Sequence, residues 1–265
     1  MIRLLHAELL KLRSTRTAWG LLIGLVPYVA LNAFAQFAQS AFAGSRPAGT
    51  PGPPPLTDPQ TIRGVLSGAL SARTLLLVLG ILMITTEYRH QTATPTFLAA
   101  PRRSMVVGAK LLAATVVGVL YGIVAVLVAI VTGYICYAAK GETFTVGVDK
   151  APQAIIGIIG VIAVYTVIGI GVGTLIKNQV GAILAALGWT LAGESITTFL
   201  LTLWHNNGDK IYRWFPGNAA SAITEQFLGG GVRLLAPWAG ALVLIAYGLV
   251  FAALGSVLTL RRDVT

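Results

Sequence analysis

Long uninterrupted runs of apolar residues alternate with short polar segments along the whole chain. Six of the runs reach about 20 residues, the length that an α-helix needs to cross the hydrocarbon core of a bilayer. The predicted spans lie near residues 17–41, 65–86, 105–138, 152–176, 180–203 and 236–260. The third run is longer than a bilayer requires, so its helix should tilt or extend past the membrane. The pattern therefore predicts an all-α integral membrane protein with six transmembrane helices in a single domain over residues 1–265.

The polar segments between the runs carry different signals. Gly44–Pro59 is rich in proline and glycine and has no apolar periodicity, which predicts an extended, solvated loop that continues to about residue 64. Lys177, Asn178 and Gln179 alone separate the fourth and fifth runs, which predicts a tight helical hairpin. Residues 204–235 form a longer amphipathic segment before the last span. The chain shows no convincing internal repeat, which argues against a secondary transporter built from inverted repeats.

Residues 1–16 precede the first span and are too charged for a secretory signal peptide, so we expect them to belong to the mature protein. Leu5, Leu9 and Leu12 recur on one face of a helix, while Glu8 and other charged residues occupy the remaining faces. This pattern predicts an amphipathic interfacial helix that lies in the headgroup plane. The alternative is a basic flank that only sets the topology of the first span.

The composition supports lipid as the solvent. Hydrophobic residues make up 55% of the chain, charged residues only 11%, and the mean hydropathy is +0.79, whereas a soluble domain carries about 25% charged residues. The net charge of +10 does not indicate nucleic-acid binding, because the basic residues flank apolar runs instead of clustering on one water-exposed face. A single cysteine, Cys136, excludes an intrachain disulfide.

Lysine and arginine are distributed unevenly between the two sides of the predicted membrane. With the N-terminus inside, eleven of the 19 lie in inner segments and seven in outer segments, while Arg73 lies within a span. Cytoplasmic loops carry the excess of these residues in membrane proteins. We therefore expect a multi-pass protein of the cell (plasma) membrane with both termini in the cytoplasm.

No catalytic or metal-binding arrangement is visible in the sequence. A P-loop signature is absent, and the nearest resemblance, GIGVGTLIK (Gly169–Lys177), has the wrong spacing and sits in an apolar run where glycines favour close helix packing. The histidines His6, His90 and His205 lie far apart at predicted helix ends. We expect a chain that is not an enzyme, binds no cofactor or metal, and has no nucleic-acid partner.

Polar residues inside the predicted spans are candidates for a translocation path. Arg73 and Glu194 both lie roughly 20–25 Å from the cytoplasmic edge at 1.5 Å per residue, and a charge at mid-bilayer costs ~3 kcal/mol or more unless it finds a partner. Asn32, Gln36 and Gln39 share one face of the first span. The alternatives are that the two charges reach the outer surface along their own stems and that the amides only join helices.

The second predicted cytoplasmic connection, TTEYRHQTATPTFLAAPRRSMVVGAK (Thr85–Lys110), contains a candidate coupling segment over residues 87–104. Charged residues follow the second span, a short helix is predicted around Thr94–Ala100, and Pro101 ends it before two arginines. A short helix between charged anchors is suited to contact a soluble partner. The alternative is an ordinary basic loop.

Three stretches resemble the permeases of the type 2 ABC exporter superfamily. In the coupling segment, the residues E-Y-R-H-x-T are followed by a short predicted helix, then P-R-R and then a lysine, as in those permeases. The stretch AELLKLRSTRTAW (Ala7–Trp19) is similar to the interfacial helix that opens those chains. The stretch YRWFPGNAASAI (Tyr212–Ile223) is similar to their extracellular re-entrant helical segment. One difference is Gln91, which stands where many members of this superfamily have a glycine. The resemblance assigns coupling to the ATPase to Glu87, Tyr88, Arg89, His90, Phe97, Arg102 and Arg103.

The resemblance implies a function that the residues alone do not define. It implies a membrane-spanning permease of an ATP-driven exporter, with ATP and Mg bound by a separate ATPase subunit, a second permease copy or homologue, and an outward path along the interface between permeases. One rival is an ion-coupled secondary transporter that uses Arg73 and Glu194. The other rival is a non-transporting membrane sensor or scaffold subunit.

Overall fold

The computed structural model describes residues 2–42, 54–89, 103–147, 150–176, 178–203, 208–224 and 234–261. Within these ranges the regular secondary structure is entirely helical and contains no strand. The α-helices are α1 (Ile2–Ser14), α2 (Arg16–Ala41), α3 (Pro59–Ser67), α4 (Ala72–Arg89), α5 (Arg103–Ala138), α6 (Ala151–Leu175), α7 (Gln179–Gly188), α8 (Glu194–Thr202), α9 (Gly208–Tyr212), α10 (Pro216–Ile223) and α11 (Pro237–Arg261). A 3₁₀ turn (Gly68–Ser71) joins α3 to α4, and a π-helical turn (Trp189–Gly193) joins α7 to α8.

Six stretches of the described chain are long and apolar enough to cross a membrane. They are Arg16–Ala41, Pro59–Glu87, Met105–Ala138, Ala151–Leu175, Gln179–Leu201 and Pro237–Leu254. This confirms the predicted class, an all-α protein with six candidate spans, and five of the spans begin within two residues of the predicted positions. The chain is thus a multi-pass membrane protein by the length and composition of its helices.

The second span begins earlier than the apolar run predicts, so the prediction of a loop up to residue 64 is wrong after residue 58. The carboxylate of Asp58 accepts a hydrogen bond of 2.7 Å from the backbone N–H of Gln60, and Pro59 occupies the first helical position. An acceptor before the helix and a proline at its start are a standard beginning for an α-helix. These local signals start the helix although the residues that follow are not yet strongly apolar.

Helix α6 forms the centre of the bundle and packs against α4, α5 and α11. Its glycines allow an unusually close approach to α4. A Cβ atom at Gly169 would lie 2.2 Å from the carbonyl oxygen of Leu77, and one at Gly80 would lie 2.1 Å from the carbonyl oxygen of Thr166. Any side chain at either position would separate the two backbones. This contact confirms that close packing explains the glycines of the 169–177 segment.

The amphipathic helix at the N-terminus is present as α1, but its apolar face contacts protein. Leu5, Leu9 and Leu12 pack against a small cluster formed by Met83, Ala113, Ala114 and Ile170 of helices α4, α5 and α6. Glu8 lies away from the predicted apolar face but is only 6% exposed. Helix α1 is therefore held against the end of the bundle as well as being suited to the headgroup plane.

Two short helices occupy the segment before the last span. Helix α10 begins at Pro216 after an extended Phe215 and packs against α6 and α11. A Cβ atom at Gly240 of α11 would lie 2.6 Å from the carbonyl oxygen of Ala219, so the two helices are in close contact. The helical character predicted for this segment is confirmed within residues 208–224, while the remainder of 204–235 lies partly outside the described residues.

Candidate functional site

Four charged side chains from three helices meet at the end of the bundle where α1 lies. The Nζ atom of Lys110, near the start of α5, lies 2.8 Å from Glu8 Oε2 and 2.9 Å from Glu87 Oε1. The Nζ atom of Lys11 lies 2.8 Å from Glu8 Oε1 and 3.1 Å from Glu87 Oε1, the oxygen that Lys110 also contacts. We call these four residues the charge cluster. It joins α1 to the last turn of α4 and the first turns of α5.

Burial makes the members of the charge cluster depend on one another. The side chain of Lys110 is 5% exposed and that of Glu8 is 8% exposed, whereas that of Lys11 is 49% exposed. Burial alone would raise the pKa of Glu8, but the charge of Lys110 and hydrogen bonds from Lys11 and Lys110 hold that pKa below its ordinary value. Burial alone would lower the pKa of Lys11, but Glu8 and Glu87 raise it. Two positive and two negative charges thus neutralise one another.

The predicted coupling residues fall into three groups. Glu87 belongs to the charge cluster, and Arg89 is exposed at the end of α4. The backbones of Tyr88 and Arg103 belong to α4 and α5. His90, Phe97 and Arg102, with the helix predicted around Thr94–Ala100, lie outside the described residues.

Sequence reasoning overlooked three members of the charge cluster. Glu8 and Lys11 are spaced by three residues, so they lie close together on one helix. Lys110 lies inside an apolar run, where a lysine needs an acidic partner. These two signals were available in the sequence, but they do not specify that the partner of Lys110 lies in α1 as well as in α4.

A second polar group lies at the opposite end of α4, which is roughly 20 Å long between Arg73 and Glu87. Glu194 Oε1 accepts a hydrogen bond of 3.0 Å from the backbone N–H of Asn218, and Arg73 Nη1 donates one of 3.5 Å to the carbonyl oxygen of Gly217. This N–H and this carbonyl belong to the same peptide group. We call Arg73, Glu194, Gly217 and Asn218 the distal polar site.

The distal polar site brings Arg73 and Glu194 together without a direct ion pair within 4.0 Å. The peptide between Gly217 and Asn218 bridges them instead. Glu194 is 8% exposed, and its carboxylate accepts from the first turn of α10, where backbone N–H groups have no partner within the helix. Arg73 and Glu194 therefore share one polar environment in the structure.

Three local features position the distal polar site. A Cβ atom at Gly217 would lie 2.5 Å and 2.6 Å from the two carboxylate oxygens of Glu194, so any side chain there would displace this carboxylate. Asn218 Nδ2 donates to the carbonyl oxygen of Tyr212 at 2.9 Å and to Thr198 Oγ1 at 3.1 Å, which holds α10 against its neighbours. The π-helical turn ends at the residue before Glu194 and rotates the following helix relative to a regular α-helix.

The side-chain amides of the first span form hydrogen bonds within α2 and not with the distal polar site. Asn32 Nδ2 donates to the carbonyl oxygen of Tyr28 on its own helix at 2.8 Å, and Gln39 Nε2 donates to Gln36 Oε1 at 3.2 Å. Asn32 and Gln36 are half-buried, and Gln39 is exposed. The predicted translocation path is thus divided into an amide stripe on α2 and a charged site on α4 and α8.

No cluster of three or more His, Cys, Asp or Glu side chains suited to a metal ion occurs in the described part of the chain. Comparisons with protein-family models and with curated proteins gave no match to this sequence. The functional interpretation therefore depends on the six-span architecture and on the two polar groups at the ends of α4.

Proposed function

We propose that this chain is the membrane-spanning permease subunit of an ATP-driven exporter, whose ATPase is a separate polypeptide. The observation that carries the proposal is the position of Glu87. This residue opens the candidate coupling segment and is also held by Lys11 and Lys110 in the charge cluster. A partner that moves the coupling segment would therefore move α1, α4 and α5 together.

Helix α4 provides a mechanical link between the two polar groups. It carries Glu87 at one end and Arg73 at the other, and the contact between Gly80 and Gly169 leaves little space for α4 to slide independently of α6. A displacement at the coupling segment would reach the peptide bridged by Arg73 and Glu194. Such rigid helix shifts between two packed arrangements are a common form of switching. The chain itself performs no covalent chemistry in this scheme, because ATP and Mg are bound by the partner.

The amide stripe on α2 supports a second permease chain as a partner. Gln36 and Gln39 satisfy part of their hydrogen-bonding capacity with each other, and Gln39 remains exposed on a helix that is apolar enough to cross a membrane. Exposed amides in lipid favour contact with another helix. We place the second permease on this face, the substrate path along the shared interface, and both termini in the cytoplasm of a cell membrane.

A secondary transporter is the second candidate, and the distal polar site favours it. Glu194 is a buried carboxylate that forms no direct ion pair within the described residues, and such carboxylates are typical of ion or proton coupling sites in membranes. In this alternative an ion gradient would act at Glu194 and no ATPase would be required. The two candidates therefore differ in whether Glu87 or Glu194 responds to the energy source.

The test is purification from native membranes in mild detergent, followed by measurement of ATP hydrolysis. We expect an ATPase subunit to copurify, and we expect Glu87→Gln to reduce the stimulation of that ATPase by the permease at least several-fold. Glu142→Gln, which changes an exposed acid in the loop after α5, is the matched control and should leave the stimulation unchanged. Absence of any ATPase, or equal stimulation by the wild type and Glu87→Gln, contradicts the proposal.

A further inference from the structure

A cavity of about 500 Å³ lies between helices α4, α6, α7 and α11 and is bounded at one end by the residues that open α10. Helix α7 packs against α4, helix α11 packs against α6, and no extensive contact joins α7 to α11 within the described residues. The cavity is the space left between these two helices. Its volume falls within the range of about 300–1,000 Å³ that small-molecule sites occupy.

The cavity opens towards the side of the bundle. Ala185 on α7 and Trp189 at the start of the π-helical turn line the cavity and are exposed, and Tyr247 and Phe251 on the α11 side are half-buried. Both helices belong to candidate spans, so the medium at this opening is the bilayer. A ligand that reaches the cavity through the opening must therefore be soluble in lipid.

Two tyrosine side chains among the lining residues carry hydroxyls that can form hydrogen bonds with a ligand. Tyr165 is only 2% exposed and lines the cavity, as does Tyr247. Neither hydroxyl hydrogen-bonds to another residue in the part of the chain that the structure describes. Buried tyrosine hydroxyls usually have a partner. A ligand with a hydroxyl or carbonyl group would satisfy them.

The charges around the cavity select against a charged ligand. The guanidinium carbon of Arg73 lies 5.6 Å from the centre of the Tyr165 ring. The peptide between Gly217 and Asn218, which follows the lining residue Pro216, joins Arg73 to Glu194. None of the described residues that line the cavity is charged. Arg73 and Glu194 carry opposite charges and contact the same peptide group, so together they give neither a cation nor an anion a net attraction. Burying either among apolar walls is costly without a direct partner.

We propose that this cavity binds a neutral amphiphile taken from the bilayer, a lipid of the diacylglycerol type with a free hydroxyl and ester carbonyls. Its polar group would hydrogen-bond to Tyr165 and Tyr247, and its hydrocarbon would contact Leu77, Trp189 and Phe251. This binding site is additional to the exporter role, because occupancy requires neither the ATPase nor the coupling segment.

The test uses the purified full chain in phosphatidylcholine nanodiscs with three photoactivatable probes. A diacylglycerol, a phosphatidic acid and an alkyltrimethylammonium carry the same chain with the diazirine at the same carbon. We expect saturable labelling by the diacylglycerol of the peptides that contain Tyr165 and Trp189, competed by unlabelled diacylglycerol. The two charged probes should give at most a tenth of the saturable signal.

Two sets of variants distinguish the cavity from the general lipid surface. Ala186→Trp fills the cavity and should abolish saturable labelling, whereas Leu184→Trp, on the same helix at a position that is 64% exposed and does not line the cavity, should not. Tyr165→Phe with Tyr247→Phe should weaken apparent affinity for the diacylglycerol about fivefold to thirtyfold. The double variant should also fold normally, because these hydroxyls have no hydrogen-bond partner to lose among the residues that the structure describes.

Several outcomes would overturn the proposal. Non-saturable labelling shows that the cavity is only part of the general lipid surface. Saturable labelling that persists in Ala186→Trp places the probe elsewhere. Equal or stronger saturable labelling by either charged probe shows that the charges around the cavity do not select a neutral ligand, and unchanged affinity in the double tyrosine variant removes the hydroxyls from the site.

Discussion

The charge cluster allows a sharp prediction, because its two lysines make similar contacts at different degrees of burial. Lys110→Met removes the cation that contacts both Glu8 and Glu87 while keeping a side chain of similar length. Both acids would then depend on Lys11, whose side chain is 49% exposed. Lys11→Met is the matched control, since Lys11 contacts the same two carboxylates from a more exposed position.

The expected magnitudes differ because of solvent. Removing one partner of a buried ion pair costs about 3–5 kcal/mol, since the remaining charge stays in a medium of low dielectric. Removing one partner of an exposed pair costs about 0–1 kcal/mol. Lys110→Met should therefore lower the free energy of unfolding by about 3–5 kcal/mol and Lys11→Met by about 1 kcal/mol or less. Adding Glu8→Gln and Glu87→Gln to Lys110→Met should restore part of the loss, because no buried charge is then unpaired.

Equilibrium unfolding in mixed micelles, followed by helical circular dichroism, measures these differences. The triple variant (Lys110→Met with Glu8→Gln and Glu87→Gln) is necessary because it distinguishes the cost of leaving a buried charge unpaired from the cost of lost packing around the lysine side chain. Equal losses in Lys110→Met and Lys11→Met would show that burial does not determine the strength of the cluster. A triple variant as unstable as Lys110→Met would show that packing, and not charge, accounts for the effect.

Three further predictions concern pH, backbone contact and orientation. The pKa of Glu8 is lowered in the folded state, so the contribution of Glu8 to stability is complete above the ordinary pKa of 4.5. This contribution is lost as the pH falls through the lowered pKa. Unfolding curves of the wild type, but not of Glu8→Gln, should show this loss on acidification. Gly217→Ala should destabilise the chain by about 1–3 kcal/mol because the new methyl group meets the carboxylate of Glu194. Gly188→Ala, where a Cβ atom meets nothing within 4 Å, should change the thermal midpoint little, and equal midpoints for both would contradict the contact. In a cysteine-free background, Glu142→Cys should react with an impermeant maleimide in intact cells, and labelling only after lysis would reverse the proposed orientation.

Helix positions followed from the sequence because lipid imposes strict local requirements. Inside a bilayer every backbone N–H and C=O must be paired within the segment, so a long apolar run has to be a helix whatever surrounds it. The start of the second span shows the same principle at a finer scale. Asp58 and Pro59 specify a helix start locally, whereas the apolar run alone predicts a start at residue 65, six residues too late.

The similar depth of Arg73 and Glu194 also followed from the sequence, because the rise of 1.5 Å per residue converts residue number into depth. Depth does not determine which way a side chain points around its helix. That direction depends on how the helices pack and, for Glu194, on the π-helical turn that precedes it. The peptide between Gly217 and Asn218, which bridges the two charges, is therefore a product of tertiary packing.

The charge cluster and the cavity were decided by tertiary structure for the same reason. Lys110 pairs with Glu8 across 102 residues and with Glu87 across 23, and a shift of a few ångströms in any of the three helices would separate them. The cavity exists only because α7 and α11 pack against different neighbours. Local sequence specifies a helix through backbone hydrogen bonds within one segment, whereas contacts between segments depend on side-chain packing that no single segment contains.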